Sequence, residues 1–185
     1  MRALRCWALA AVLLQSVLPA AAQERFDLRD WKRKPIADSP ALFYECQAPQ
    51  LCGAGSAVSA RLMALPKETL TVERQRAREA EIVRRMREQS DGKIKSVDVG
   101  ETREIRIEQF PVIFTEKRVT PASGPARTDV AGIMTGKTRA YVVIATARTP
   151  EQARSNFSGM ARVAALILDQ MAADPQKPDA NPRPQ

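Results

Sequence analysis

Alternating hydrophobic and polar residues indicate strands in the middle of the chain. Glu104 to Phe110 shows the pattern most cleanly, with Ile105 and Ile107 on one side and charged residues on the other, which predicts a half-buried antiparallel strand. Tyr141 to Ile144 is the most hydrophobic run after the N-terminal region and predicts a central strand. Composition and turn residues predict the full set of strands over 41–46, 56–63, 93–99, 104–110, 112–119, 129–134 and 139–147.

Two segments carry apolar residues at helical spacing. The first begins at a cap formed by Thr69 or Thr71 and runs to about Gln89, with one narrow apolar stripe among many charges. The second begins with Thr149 as cap and Pro150 at the first helical position, and runs to about Ala173. The order of elements predicts an α+β fold: an antiparallel sheet of about five to seven strands covered by two helices, one of them a long C-terminal helix.

The first 22 residues have the three parts of a secretory signal peptide. A cationic start with Arg2 and Arg5 precedes an apolar run from Cys6 to Leu14, and Ala20–Ala22 supplies small residues for cleavage. The apolar run is too short to span a bilayer as a helix, and no later segment approaches the ~20 apolar residues that a span needs. We therefore expect a periplasmic or secreted protein after cleavage near Ala22, with no transmembrane span in the mature chain.

The same patterns divide the chain. After the signal peptide (1–22) comes an irregular N-terminal segment (23–40), then a single α+β domain (41–173). Residues 174–185 contain four prolines and no apolar anchor, which predicts a disordered tail.

Composition excludes several function classes. Histidine is absent, which removes Ser-His-Asp and Cys-His arrangements and all histidine zinc sites. No metal site or cofactor is expected. The formal net charge of +8 favours an envelope protein or an anionic envelope component as partner, although general solubility explains the same charge. Nucleic acid is a poor partner, because aromatic residues are few and do not alternate with basic ones.

Cys46 and Cys52 are the cysteines outside the predicted signal peptide, and an oxidising compartment favours a disulfide between them. Their spacing exceeds the Cys-x-x-Cys of redox catalysts, so a structural disulfide is favoured over a reactive pair. The residues after them have two interpretations, an anion-binding nest or simply a tight connection into the next strand. The residues concerned are Gly53, Gly55, Ser56 and Ser59.

The arginine-rich helix has two interpretations as well. It is either a surface for a partner or a solvated helix face, and its large apolar residues are too few for membrane insertion. The arginines of the possible partner surface are Arg74, Arg78, Arg84, Arg85 and Arg87.

The chain weakly resembles the PsbP-like family of exported α+β domains. The resemblance rests on the Thr149-Pro150-Glu151 start of the last helix after the Tyr141–Ala145 strand, and on the strands before it. It extends over about 41–173. The resemblance implies a binding or assembly factor without catalytic residues.

Together these features predict a non-catalytic binding or assembly protein of the cell envelope, with a basic surface for an anionic or protein partner. The alternative is an envelope hydrolase without histidine. Such an enzyme would use a serine or carboxylates such as Glu116 and Asp129.

The signal peptide leads to a direct prediction. Mass spectrometry of the exported protein should find residue 23 at the N-terminus, because small residues precede that position. An exported protein that retains Met1 would contradict cleavage.

Overall fold

A computed structural model describes residues 26–37 and 39–173. The predicted signal peptide and the predicted tail lie outside these residues. A 3-10 turn, Leu28–Asp30, precedes the first strand. The strands are β1 (Trp31–Arg33), β2 (Leu42–Cys46), β3 (Ala57–Ala64), β4 (Ile94–Ile107), β5 (Phe110–Pro121), β6 (Arg127–Thr135) and β7 (Arg139–Ala147). The helices are α1 (Pro49–Cys52), α2 (Val72–Gln89) and α3 (Pro150–Ala173).

The strands form one antiparallel sheet in the order β1-β2-β3-β7-β6-β5-β4. The chain leaves the sheet after β3, forms α2, and returns at the far edge as β4. It then passes through three consecutive hairpins until β7 pairs with β3. The predicted α+β class is confirmed, including the number of strands and the long C-terminal helix.

The two long helices pack on opposite faces of this sheet. Strand β5 demonstrates the arrangement, because its residues alternate between the two faces along an unbroken register with β6. Val112 packs into the hydrophobic core that includes α3. Lys117 points to the other face, where it contacts Glu79 of α2.

The larger core lies between α3 and the sheet. Phe157, Met160 and Leu168 of α3 pack against a layer of side chains from the central strands. Gly132 of β6 permits a close approach of α3, since a Cβ there would lie 2.9 Å from Cζ of Phe157 and 2.7 Å from Cβ of Phe114. A side chain at position 132 would therefore push the helix away from the sheet.

Strand β4 differs from its prediction. The two strands predicted over 93–99 and 104–110 are one strand, with register shifts between Ile94 and Ser96 and between Val99 and Thr102. These irregularities explain why the alternation in the first half is imperfect. The two isoleucines also differ, because Ile107 is 8% exposed and Ile105 is 36% exposed.

The N-terminal segment and the β2–β3 connection also contain more regular structure than expected. Within the segment predicted to be irregular, Trp31–Arg33 forms β1 and pairs with β2, and Trp31 is buried. One helical turn, α1, lies in the connection where only turns were predicted, with Pro49 in its first turn. Within the described residues, no helix is long and apolar enough to cross a membrane.

A buried ion pair joins α2 to the sheet. Glu79 Oε2 lies 2.5 Å from Lys117 Nζ, and the two side chains are 3% and 6% exposed. Gln75 Nε2 donates to the other oxygen of Glu79 at 2.8 Å. A small apolar cluster of Val83, Val97 and Val119 completes this second core. Both buried polar contacts and apolar contacts therefore hold α2 on the sheet.

The pair leads to a stability prediction. Lys117→Met should lower the free energy of unfolding by about 3–5 kcal/mol, because it leaves the Glu79 carboxylate buried without its counter-ion. Urea unfolding of the single variant and of Glu79→Leu/Lys117→Met measures this, and the double variant should recover most of the loss. Lys137→Met at an exposed position is the control. Equal losses in the single and double variants would contradict the role of the pair.

Candidate functional site

The exposed surface of α2 is the strongest candidate for a binding site. Thr71 caps the helix, its Oγ1 accepting from the backbone amide of Arg74 at 3.3 Å. Gln75, Glu79 and Val83 form the buried stripe at steps of four residues. Most of the remaining positions of α2 carry charges. Because the ion pair of Glu79 with Lys117 fixes which side of the helix is buried, it also determines which of these charges face solvent.

Three of the five predicted arginines come together in a row. At about 100° per residue, Arg74, Arg78 and Arg85 lie within about 40° of one another around the helix axis. They extend over about 16 Å at 1.5 Å per residue. We call Arg74, Arg78 and Arg85 the arginine row.

The other two predicted arginines do not belong to the row. Arg87 is on the opposite flank, where its Nη2 donates to the carbonyl oxygen of Val97 in β4 at 2.9 Å. Arg84 projects outward and bonds Glu81 and Glu88, each at 2.7 Å. Because Arg87 marks the flank toward β4, the arginine row lies on the flank away from β4.

Carboxylates near the row offset part of its charge. Arg85 Nε lies 2.8 Å from Glu81, and Arg74 reaches Glu68 at 3.1 Å and the carbonyl oxygen of Thr69 at 2.7 Å. Hydrogen bonds from Arg84 and then Arg85 lower the pKa of Glu81 to about 2. Exposed pairs of this kind are screened by solvent and contribute little to stability, so an incoming anion can replace them.

Arg78 differs from its neighbours. It forms no salt bridge with any residue that the structure describes, although it lies in the middle of the row. Arg76, which is not among the predicted arginines, is also exposed and forms no salt bridge with the residues that the structure describes. It lies on the same flank as Arg87.

A cleft of about 460 Å³ begins beside the N-terminal end of the row. It lies between the β3–α2 connection and the sheet face that carries α2. Its lining includes Leu65, Pro66, Leu70, Pro111, Ile113 and Ile133. Glu68 and Thr69 also line it, so the guanidinium of Arg74 bonds directly to its rim. No local sequence pattern indicated this cleft, because its walls come from segments far apart in the chain.

The disulfide lies within the β2–β3 connection, as predicted. Cys46 ends β2 and Cys52 ends α1, with their Cα atoms 5.8 Å apart. Asn156 of α3 donates to the carbonyl oxygen of Cys52 at 2.9 Å, and Gln152 donates to that of Leu51 at 3.3 Å. The loop is therefore bound to α3 as well as closed on itself. Cys52 is buried, which suits a structural disulfide.

Two backbone amides of the predicted anion nest already donate within the loop. The amide of Gly53 donates to Pro49, and the amide of Ser56 donates to Gly53. The Ser56 hydroxyl is buried and has no hydrogen-bond partner in the structure. Ser59 lies inside β3, whereas Gly55 (φ +73°) lies in the turn before it. Anion binding by this loop stays a prediction.

The carboxylates considered for a hydrolase do not form a pair. Glu116 is opposite Val130, which belongs to the core under α3. Asp129 is opposite Lys117 and therefore points to the α2 face, where it accepts from Thr146 Oγ1 at 2.8 Å. The sheet separates the two side chains. Among the described residues, no group of three possible metal ligands occurs.

Comparisons with known proteins give weak likenesses to solved structures. No family model and no curated protein matches the chain. Among solved structures, it is similar to cyanobacterial PsbP from Synechocystis sp. PCC 6803, at 14% identity and a TM-score of 0.48, over 78% of this chain and 79% of that one. A Pseudomonas aeruginosa protein of unknown function matches at 13% identity and a TM-score of 0.26, over 84% and 99%.

The weak PsbP-like resemblance that the sequence indicates is thus supported. At these identities and TM-scores, the likeness carries no conclusion about function.

The disulfide leads to a second stability prediction. Cys46→Ala/Cys52→Ala should lower the free energy of unfolding by about 2 kcal/mol, because the unfolded chain regains the freedom of the short loop. Urea unfolding with and without reductant measures it, and reduction of the wild-type protein should give the same loss. Two alkylatable thiols in the exported protein would contradict a structural disulfide.

Proposed function

We propose that this is an exported, non-catalytic binding or assembly protein of the cell envelope, and that it contacts an acidic partner protein through the arginine row. One observation carries the proposal. Arg74, Arg78 and Arg85 share one exposed flank of α2, and Arg78 in the middle has no salt bridge within the described structure. Export is supported by the predicted signal peptide and by the disulfide.

The chemistry of the row suits carboxylate ligands. Guanidinium groups bind planar anions through two parallel hydrogen bonds, and they desolvate more easily than the ammonium group of lysine. A spacing of four and seven residues presents these groups along one line, which fits an extended acidic segment or one face of an acidic helix. The arginine row can therefore orient an acidic segment as well as attract it.

The position of α2 makes the row a rigid surface. Glu79 and Lys117 hold the buried side of the helix against β5. The helix therefore has little freedom to rotate, and the backbone positions of the three arginines are fixed relative to the sheet. A rigid surface loses less conformational entropy on binding than a mobile one. The buried pair thus supports binding without contacting the partner.

The neighbouring cleft favours a protein over a simple anion. Its apolar lining contains Ile113 and Ile133, and its rim bonds to Arg74. A partner that places an apolar side chain in the cleft and acidic side chains along the row would use both features. An anionic lipid surface would use only the row, and α2 has few large apolar residues to insert into a bilayer.

Charge reversal tests the proposal with a matched control on the same helix. Arg78→Glu should weaken retention of the partner from envelope extract about tenfold or more, since it replaces attraction to the acidic partner by like-charge repulsion in the interface. Arg76→Glu changes net charge equally on the other flank and should leave retention close to wild type.

Three outcomes are informative. A loss confined to Arg78→Glu supports the row, and equal losses in both variants would show attraction by net charge alone and overturn it. Binding to phosphatidylglycerol vesicles that equals the binding to extract protein, and that also falls with Arg78→Glu, would replace the protein partner by a lipid surface. Circular dichroism checks that both variants are folded.

A further inference from the structure

Strand β4 leaves one edge of the sheet open. It is the last strand in the sheet order and has 14 residues, and no strand of the described chain pairs with its outer edge. Natural sheets protect such edges with bulges and charges. The first part of β4 has two register shifts, but from Thr102 to Ile107 its register with β5 is unbroken. This last part of the edge is therefore regular enough to pair with another strand.

The hairpin determines which backbone groups point outward. Ile107 and Phe110 are paired across the two-residue turn between β4 and β5, and the residues that flank such a turn exchange hydrogen bonds with each other. Along an antiparallel pair of strands, residue pairs that exchange backbone hydrogen bonds alternate with residue pairs that do not. Ile105 and Ile107 thus direct their backbone groups to β5, while those of Glu104 and Arg106 point to the open edge.

The side chains at this edge form a self-complementary sequence. In an antiparallel pair of two identical strands centred on Ile105, Glu104 of each strand is opposite Arg106 of the other. The two ion pairs share one face of the sheet, and the two Ile105 side chains meet on the other. Ile105 is 36% exposed, so this contact removes apolar surface from water.

We propose that two copies of this chain pair antiparallel through the β4 edge, with a two-fold axis at Ile105, so that the sheets of both copies become continuous. In this register, the outward backbone groups of Glu104 and Arg106 exchange hydrogen bonds with the partner strand. The interface is isologous, because each copy contributes the same surface to it.

Charge selects this register over its neighbours. A two-fold axis one residue earlier opposes Glu104 to the same residue of the second copy, and one residue later it opposes Arg106 to itself. Like charges directly opposite each other destabilise a strand pair. Because the contact covers only the regular end of β4, the dimer should be weak and in rapid exchange with monomer.

Sedimentation velocity over a concentration series tests the pairing. The wild-type protein should shift from monomer toward dimer as concentration rises. Glu104→Arg and Arg106→Glu each replace two attractive contacts by two repulsive ones, and each should raise the dissociation constant about tenfold or more. The double variant Glu104→Arg/Arg106→Glu restores both ion pairs and should dimerise like the wild type.

Mixing gives a second, independent readout. The two single variants complement each other, because the acidic edge of one faces the basic edge of the other. An equimolar mixture should therefore form a heterodimer that neither variant forms alone. Ile105→Cys should also form a disulfide-linked dimer on oxidation, since opposite residues in this register have Cα atoms about 4.5 Å apart.

Val99→Thr is the control, because Val99 is on the same strand and is 42% exposed but lies before the register shift, and a neutral side chain adds no charge opposite Lys117. Its dimerisation should equal that of the wild type. A wild-type protein that remains monomeric throughout the series would overturn the proposal, and so would a double variant that fails to recover dimerisation. Far-ultraviolet circular dichroism confirms that the variants compared are folded.

Discussion

The ion pair between Glu79 and Lys117 is the interaction on which the α2 side of the molecule depends. Both charges are almost completely removed from water, and such burial is tolerated only when each charge has its partner at hydrogen-bonding distance. An apolar stripe alone would permit α2 to rotate or slide, because hydrophobic contacts are not directional. The pair, with Gln75 bonded to the same carboxylate, permits one orientation of the helix.

That constraint also organises the outer surface. With Gln75, Glu79 and Val83 turned inward, Arg74, Arg78 and Arg85 have to lie on the flank away from β4. The face under α3 is built differently, because a continuous apolar core holds that helix and the disulfide loop bonds to its first turns. One face of the sheet thus supplies most of the hydrophobic stability, and the other presents charged groups in defined positions.

Features that depend on local pattern were predictable. The cap at Thr149, the alternation at the end of β4 and the apolar run of β7 all depend on residues close together in the chain, and Thr71 was one of the two cap candidates for α2. The disulfide was predicted from two cysteines in a chain with a predicted signal peptide. Strand β1 was not predictable in the same way, because Lys32 and Arg33 have no strand character and are ordered by pairing with β2. The length of β4 was missed because bulges interrupt its alternation.

The candidate site was predicted in part, and the missing part is tertiary. The arginine-rich helix was identified from composition, yet its sequence made all five selected arginines equivalent. The burial of Glu79 distinguished them, since it placed Arg78 in an exposed row and directed Arg87 to the carbonyl oxygen of Val97. Likewise, Glu104, Ile105 and Arg106 can pair with a second copy only because β4 is the last strand of the sheet.

Local sequence patterns were enough to predict the class of fold, the two long helices, most strands and the pairing of Cys46 with Cys52, because these depend on periodicity, capping and covalent chemistry within short stretches. Only the folded chain reveals the strand order, the cleft beside Arg74 and the separation of Glu116 from Asp129 by the sheet. These features depend on which distant segments become neighbours. That choice is made by burial of the whole chain, and no local stretch of residues encodes it.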